Sequence, residues 1–181
     1  MKELSKIFKE MADLSDFIGE SPFKSRTYRF ASEAVKMYGT DTDKLSQVKG
    51  IGKAILEKTV EYSNTGKIKK HDDLMKLVPQ DLLSRIFEED PVLLGKKWRE
   101  DVKKRYFGID GSLKTIPSKF SMKFYVLREI SKHFKKNLVY TEKDVDSILS
   151  KIYPDHVEIR RYLVDFGFLE RKVDGSTYKK I

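Results

Sequence analysis

Leu45-Ser46-Gln47-Val48-Lys49-Gly50-Ile51-Gly52-Lys53 is a short apolar-spaced run closed by two glycines, and a helical pattern follows at once. Glycine has no Cβ, so it reaches positive φ readily and lets other groups approach the backbone. The turn is expected to join a short helix over 44–48, capped from Asp41-Thr42-Asp43, to a longer one over 53–64 that Gly66 closes. Such a turn presents backbone N–H groups at the start of the second helix. Those donors and the helix dipole favour a phosphate. The same residues also read as a plain turn between two antiparallel helices.

Upstream, Leu4, Ile7, Phe8, Met11, Leu14 and Ile18 recur at spacings of three and four and predict a helix over 1–18. Gly19 stops it. Ser21-Pro22 then offers an N-cap and a first-turn proline for a helix over 22–38 with Thr27, Ala31, Ala34, Val35 and Tyr38 inward. In the helix after the glycine turn, Ile51, Ile55, Thr59 and Tyr62 share one side, extended by Leu56 and Val60. Lys58 falls at the edge of that face. Partial desolvation there raises the share of neutral amine, the form that attacks an aldehyde to give a Schiff base. A lysine that only covers apolar surface with its stem would look the same in sequence.

Downstream, Lys67-Ile68-Lys69-Lys70 reads as a basic tether. Helices are expected over 80–89 and 92–106, separated by Asp90-Pro91 because the residue before proline avoids the helical region. Two glycines and a proline within 108–118 mark the main linker. The last third predicts a helix over 122–134, a second from Thr141 with Asp144 at capping-box spacing, and a third over 156–166. Residues 169–181 alternate around Asp174-Gly175, a two-residue hairpin signal. Three helices followed by a hairpin is the order of a winged helix. The expected fold is mainly α, closing in a winged-helix-like domain with a β-hairpin. The expected boundaries are 1–73, 74–117 and 118–181.

The 181 residues carry a net charge of +9, and residues 118–181 hold 14 basic side chains against 9 acidic ones. A basic chain rich in Tyr and Phe points to a polyanionic partner, nucleic acid first. The absence of cysteine excludes disulfides, thiolate catalysis and zinc-thiolate sites. No apolar run approaches the roughly 18 residues a membrane helix needs, and the opening residues lack a signal core. A cytoplasmic setting, nucleoid-associated in a bacterium, and no membrane partner are expected. His71, His133 and His156 lack partners at ligand spacing, so no transition-metal site is expected.

Residues 1–73 resemble the amino-terminal 8-kDa domain of family X, polymerase β-type DNA polymerases. The likeness is carried by Ile7-Phe8-x-Glu10-Met11-Ala12-Asp13 and Pro22-Phe23-x-x-Arg26-x-Tyr28-Arg29-x-Ala31. It continues through Val48-x-Gly50-Ile51-Gly52-Lys53, Glu57-Lys58 and Thr65-Gly66-Lys67. The resemblance implies a four-helix helix-hairpin-helix domain, followed here by further helices, that binds the 5′-phosphate side of a DNA gap and, in many members, removes an abasic sugar phosphate. It aligns Lys58 with a Schiff-base lysine and Tyr28 with the tyrosine that positions it. It assigns Lys24 and Lys70 to the 5′-phosphate, together with the Gly50-Ile51-Gly52 turn and Lys53. The carbonyls of Ser46, Val48 and Ile51 align with ligands of a monovalent cation, Na+ or K+; no other cofactor is implied. Ala54 stands where the family often has a phosphate-binding lysine, Lys49 replaces a turn proline, and Phe23 replaces a base-stacking histidine.

Residues 74–113 resemble a worn version of that family's second hairpin, with Glu88-Glu89-Asp90-Pro91 in place of its glycine turn. No paired aspartates of the kind a two-metal polymerase site requires are found, so polymerase activity is not expected. Residues 119–181 resemble a small uncharacterised bacterial domain often joined to transcription regulators. The likeness rests on Tyr140-Thr141-Glu142-Lys143-x-Val145, Arg160-Arg161-Tyr162-Leu163, Gly167-Phe168-Leu169-x-Arg171 and Asp174-Gly175-Ser176-x-Tyr178. Arg160 and Arg161 on its third helix, with Arg171, Lys172, Lys179 and Lys180 on the hairpin, form the footprint of a helix in the major groove with a wing on the backbone. The function expected is recognition of gapped or 5′-phosphorylated DNA in repair or DNA-linked regulation. The alternatives are a Schiff-base deoxyribose-phosphate lyase, and a transcription regulator whose C-terminal domain docks a protein partner.

Overall fold

The first helix, α1 (Lys2–Ile18), buries the expected Leu4, Phe8, Met11, Leu14 and Ile18, and also Ala12, Asp13, Ser15 and Phe17. A helix covered that widely has neighbours on more than one side. The computed structural model describes residues 2–181, so the expected first residue of α1 lies outside it. The chain divides into a first unit ending at Trp98 and a second, Arg99–Ile181.

In the first unit α2 (Pro22–Tyr38) packs along α1. Its Ser21 cap accepts the Phe23 N–H, and Gly39 ends it at φ +65. Arg29 reaches Asp13 and Asp16, both at 2.9 Å, and the Ser32 hydroxyl donates to the Ser5 carbonyl at 2.8 Å. The buried stripe runs through Ser25, Tyr28, Ala31, Ser32 and Val35. Tyr38, expected inward, is 38% exposed. Ser32 already lies against Ser5, so six residues further on α2 has passed the start of α1.

The short α3 (Thr42–Ser46) and α4 (Lys53–Thr65) flank the glycine turn, and Gly66 ends α4 in the left-handed region. The expected basic tether is instead the approach to a helix, α5 (Lys69–Lys76). Ile68 and Leu74 are buried, and His71 Nε2 lies 2.9 Å from Glu10 of α1. The lysines of that run are the solvated face of a core-anchored segment. After a 3-10 turn at Gln80–Leu82 come α6 (Leu83–Glu88) and α7 (Pro91–Tyr106), whose start Asp90 caps through the Val92 and Leu93 N–H groups. Val78, Ile86 and Leu94 join the same core as α1, and Trp98 packs on Phe17 at 5.4 Å between ring centres. A Cβ on Gly95 would lie 2.1 Å from the Phe17 carbonyl oxygen, so glycine is required where α7 crosses α1. The second cover of α1 therefore comes from residues 68–98.

In the second unit α8 (Phe120–Ser131), β1 (Val139–Thr141), α9 (Glu142–Leu149), α10 (His156–Asp165), β2 (Leu169–Arg171) and β3 (Thr177–Lys180) follow in order. The antiparallel sheet runs β1-β3-β2, with Tyr178 opposite both Tyr140 and Arg171. Leu127, Ile130, Val145, Leu149, Ile159 and Leu163 form its buried interior. Thr141 and Asp144 make the full capping box. The start of the expected linker is structured: Phe107 bridges Leu113, and the Leu113 N–H donates to Ile152 at 2.7 Å. The expected two-residue hairpin is a longer loop. Only Gly175 has positive φ there, whereas a tight I′ turn needs it at both central residues. The Lys172 N–H pairs with the Thr177 carbonyl instead, and Asp174 accepts from the Ser176 N–H and hydroxyl.

Candidate nucleic-acid interface

Asp41 caps α3 by accepting the Lys44 N–H at 3.1 Å. The turn closes where the Val48 carbonyl accepts the Ile51 N–H at 3.0 Å, and Ile51 plugs into the core. Gly50 holds φ +98, and an added Cβ would sit 3.1 Å from the Phe30 ring. Gly52 differs: as N-cap of α4 it has φ −97, and a Cβ there meets nothing within 4 Å. Conformation demands glycine only at Gly50. At Gly52 the missing side chain leaves open space.

That space is part of a cavity of about 400 Å³ lined by Phe23, Lys24 and Tyr28 of α2, by Gly50 and Gly52, and by Lys53 and Lys58 of α4. Phe23 is 75% exposed at its edge. Lys24 is paired with Glu20 at 3.4 Å and Lys53 with Glu57 at 3.7 Å; both are surface pairs of small energy that an incoming phosphate can replace. The Lys58 ammonium donates to the Ala54 carbonyl one turn back, at 3.1 Å. The Tyr28 ring stacks on Phe8, and burial pushes its phenol pKa above the ordinary value. Lys70, expected with this group, does not line the cavity; it sits at the start of α5. Phe30, the seat of Gly50, carries no sequence signal of that role.

The expected cations of the second unit have different fates. Arg160 is inward, its side chain only 13% exposed, held by Asp146 at 2.6 Å and Glu142 at 3.2 Å. Lys180 donates to the carbonyl of Ser131, the last residue of α8, and to that of Phe134 just after it, at 2.8 and 3.0 Å, and burial lowers its pKa. These two are structural groups. Lys172 pairs with Asp174 at 2.9 Å on the exposed hairpin tip. Arg161, Arg171 and Lys179 stay exposed. Among the described residues no group of three or more His, Asp or Glu side chains is placed to hold a metal ion.

Residues 1–68 match a family described as a helix-hairpin-helix domain. Residues 112–180 match one described as an uncharacterized protein conserved in bacteria. No curated protein matches the chain. The first match points to nucleic-acid binding, in keeping with the glycine turn and its cationic cavity. Among the described residues no helix is long and apolar enough to cross a membrane.

Proposed function

We propose that this chain binds DNA at a gap or nick through the 5′-phosphate, in the manner of the 8-kDa domain it resembles, and does not polymerise. The observation that carries this reading is the single cavity shared by the glycine turn, the start of α4, Lys24, Lys53 and an exposed phenylalanine. The first N–H groups of α4 have no partner within the helix and favour an anion. Lys24 and Lys53 exchange a carboxylate for the phosphate. Phe23 offers a ring to an unstacked base at the gap. By the same resemblance, a Na+ or K+ ion would be held by the carbonyls of Ser46, Val48 and Ile51. Val48 keeps a second lone pair after accepting the Ile51 N–H, and the ion would add positive charge beside the phosphate. The test is binding to matched intact, nicked and gapped duplexes, each with and without 5′-phosphate. The gapped, phosphorylated duplex should bind tightest; equal binding of intact duplex would overturn the reading.

Lyase chemistry is a second reading, favoured by Lys58 and Tyr28 lining the same cavity. The neutral Lys58 amine would add to the C1′ aldehyde and the adduct would lose water to give an iminium; loss of a C2′ proton to water would then expel the 3′-phosphate, and hydrolysis would free Lys58. Borohydride should then trap a covalent adduct with an incised abasic site, and Lys58→Ala should abolish it. For the second unit we propose a winged-helix-like DNA contact through Arg161, Arg171, Lys172 and Lys179. The order of α8, β1, α9, α10, β2 and β3 supports it. A protein-docking role is its competitor. A cytoplasmic, nucleoid-associated setting goes with this reading.

A further inference from the structure

Five aromatic rings of the second unit lie outside its fully buried interior and meet in two groups. Phe120 stacks on Phe166 with centroids 5.0 Å apart and 25° between planes, and Tyr162 meets Phe166 edge-on at 6.2 Å. Phe124 contacts Phe168 at 5.1 Å. Phe120 and Phe124 are four residues apart on α8, hence on one face. Phe120 is 50% exposed, and the other four are partly exposed.

Charge accompanies the rings. Lys123 lies 4.3 Å from the centre of the Tyr162 ring, and Lys119 is exposed at the start of α8. The nearby Asp165 lines a different cavity, with Arg161 and Arg171. A core contact would bury these rings; a duplex-groove surface would present donors instead of half-open ring faces. Ring faces with lysines beside them match unpaired bases on a charged backbone, because every base has a face to stack while its phosphates meet the cations.

We propose that the Phe120, Phe124, Tyr162, Phe166 and Phe168 face, with Lys119 and Lys123, is a stacking platform for single-stranded nucleic acid. The inference stands on the second unit alone and does not depend on the 5′-phosphate reading.

The experiment is fluorescence anisotropy of the full chain with oligothymidylate bearing a 5′-hydroxyl, against an intact blunt duplex of equal length. The missing 5′-phosphate removes the group proposed for the cavity of the first unit, and the Phe120 variants report on the second unit alone. Wild type should bind the single strand, and Phe120→Ala should leave its duplex affinity unchanged. Phe120→Ala should weaken single-strand binding on the order of tenfold without altering its salt slope, since stacking releases no counterions. Phe120→Trp should restore it, and thermal melting establishes that both variants are folded. Lys123→Ala should instead lower the slope by about 0.7. Equal affinity of wild type and Phe120→Ala would overturn the platform and leave the face to a protein partner. A wild type that does not bind the single strand would overturn it as well.

Discussion

In the first unit Lys24, Lys53, Gly50 and Gly52 surround one cavity. In the second, Arg160 is held by Glu142 and Asp146, and Lys180 by two carbonyls at and just after the end of α8. Both sets read as phosphate contacts in sequence. The difference is what supplies the donor. A glycine turn ahead of a helix offers backbone N–H groups fixed by local geometry, and no distant carboxylate can turn them away. A long cationic side chain goes to whatever acceptor the fold brings near, so its availability is a tertiary property.

The largest expected effect tests how fully residues 68–98 belong to the first unit. Gly95→Leu puts side-chain atoms where the Phe17 carbonyl already lies, and should cost about 3 kcal/mol in urea denaturation. A midpoint equal to wild type would separate α7 from α1. Next, Arg160→Ala should lose about 2 kcal/mol, less than a fully buried pair because Glu142 and Asp146 reach water, and leave the salt slope of DNA binding unchanged. Arg161→Ala should do the reverse: full stability, and a duplex slope lower by about 0.9. If both arginines behaved alike, the distinction between structural and offered cations would fail.

The two turn glycines sharpen the contrast within the first unit. Gly50→Val should cost about 2 kcal/mol of stability through strained φ and contact with Phe30. Gly52→Val should cost about 1 kcal/mol or less, yet weaken binding of 5′-phosphorylated DNA about tenfold by filling the open space. Equal losses of stability would contradict the conformations described. Lys180→Ala should lower stability by about 1 kcal/mol with no change of slope, whereas Lys179→Ala should lower the slope alone.

The smallest effect is acid sensitivity of the first unit. The His71 hydrogen bond holds the Glu10 carboxyl below its ordinary value of about 4.5. A depressed carboxyl stabilises the fold above its unfolded pKa, and that contribution fades as pH falls through the lower, folded value. Glu10→Gln should therefore flatten the acid limb of the stability curve below pH 4.5, with little slope change near neutrality. An unchanged acid limb would remove the His71 contact as the cause.

The caps and stops around α2, α3, α4 and α9 were legible because a helix end is decided by residues within a few positions of it: Ser21-Pro22, Gly39, Asp41, Gly66, Thr141 with Asp144. The glycine turn was legible for the same reason. The three-residue β1 was not, since so short a strand exists only through its pairing with β3. Nor was α5, whose lysines outweigh Ile68 and Leu74 in sequence although those two apolar side chains anchor it.

By itself, the amino-acid sequence determined the mainly helical plan, the amphipathic faces and the glycine turn between two helices, because periodicity, capping and glycine freedom act over one or two turns of chain. Only the tertiary structure decided that α1 is covered on a second side, that Arg160 and Lys180 bond within the fold, and that Phe120, Tyr162 and Phe166 meet at its surface. Apart from the i,i+4 pair Tyr162 and Phe166, those outcomes depend on partners far along the chain, and no local spacing records which carboxylate, carbonyl or ring packing will bring near.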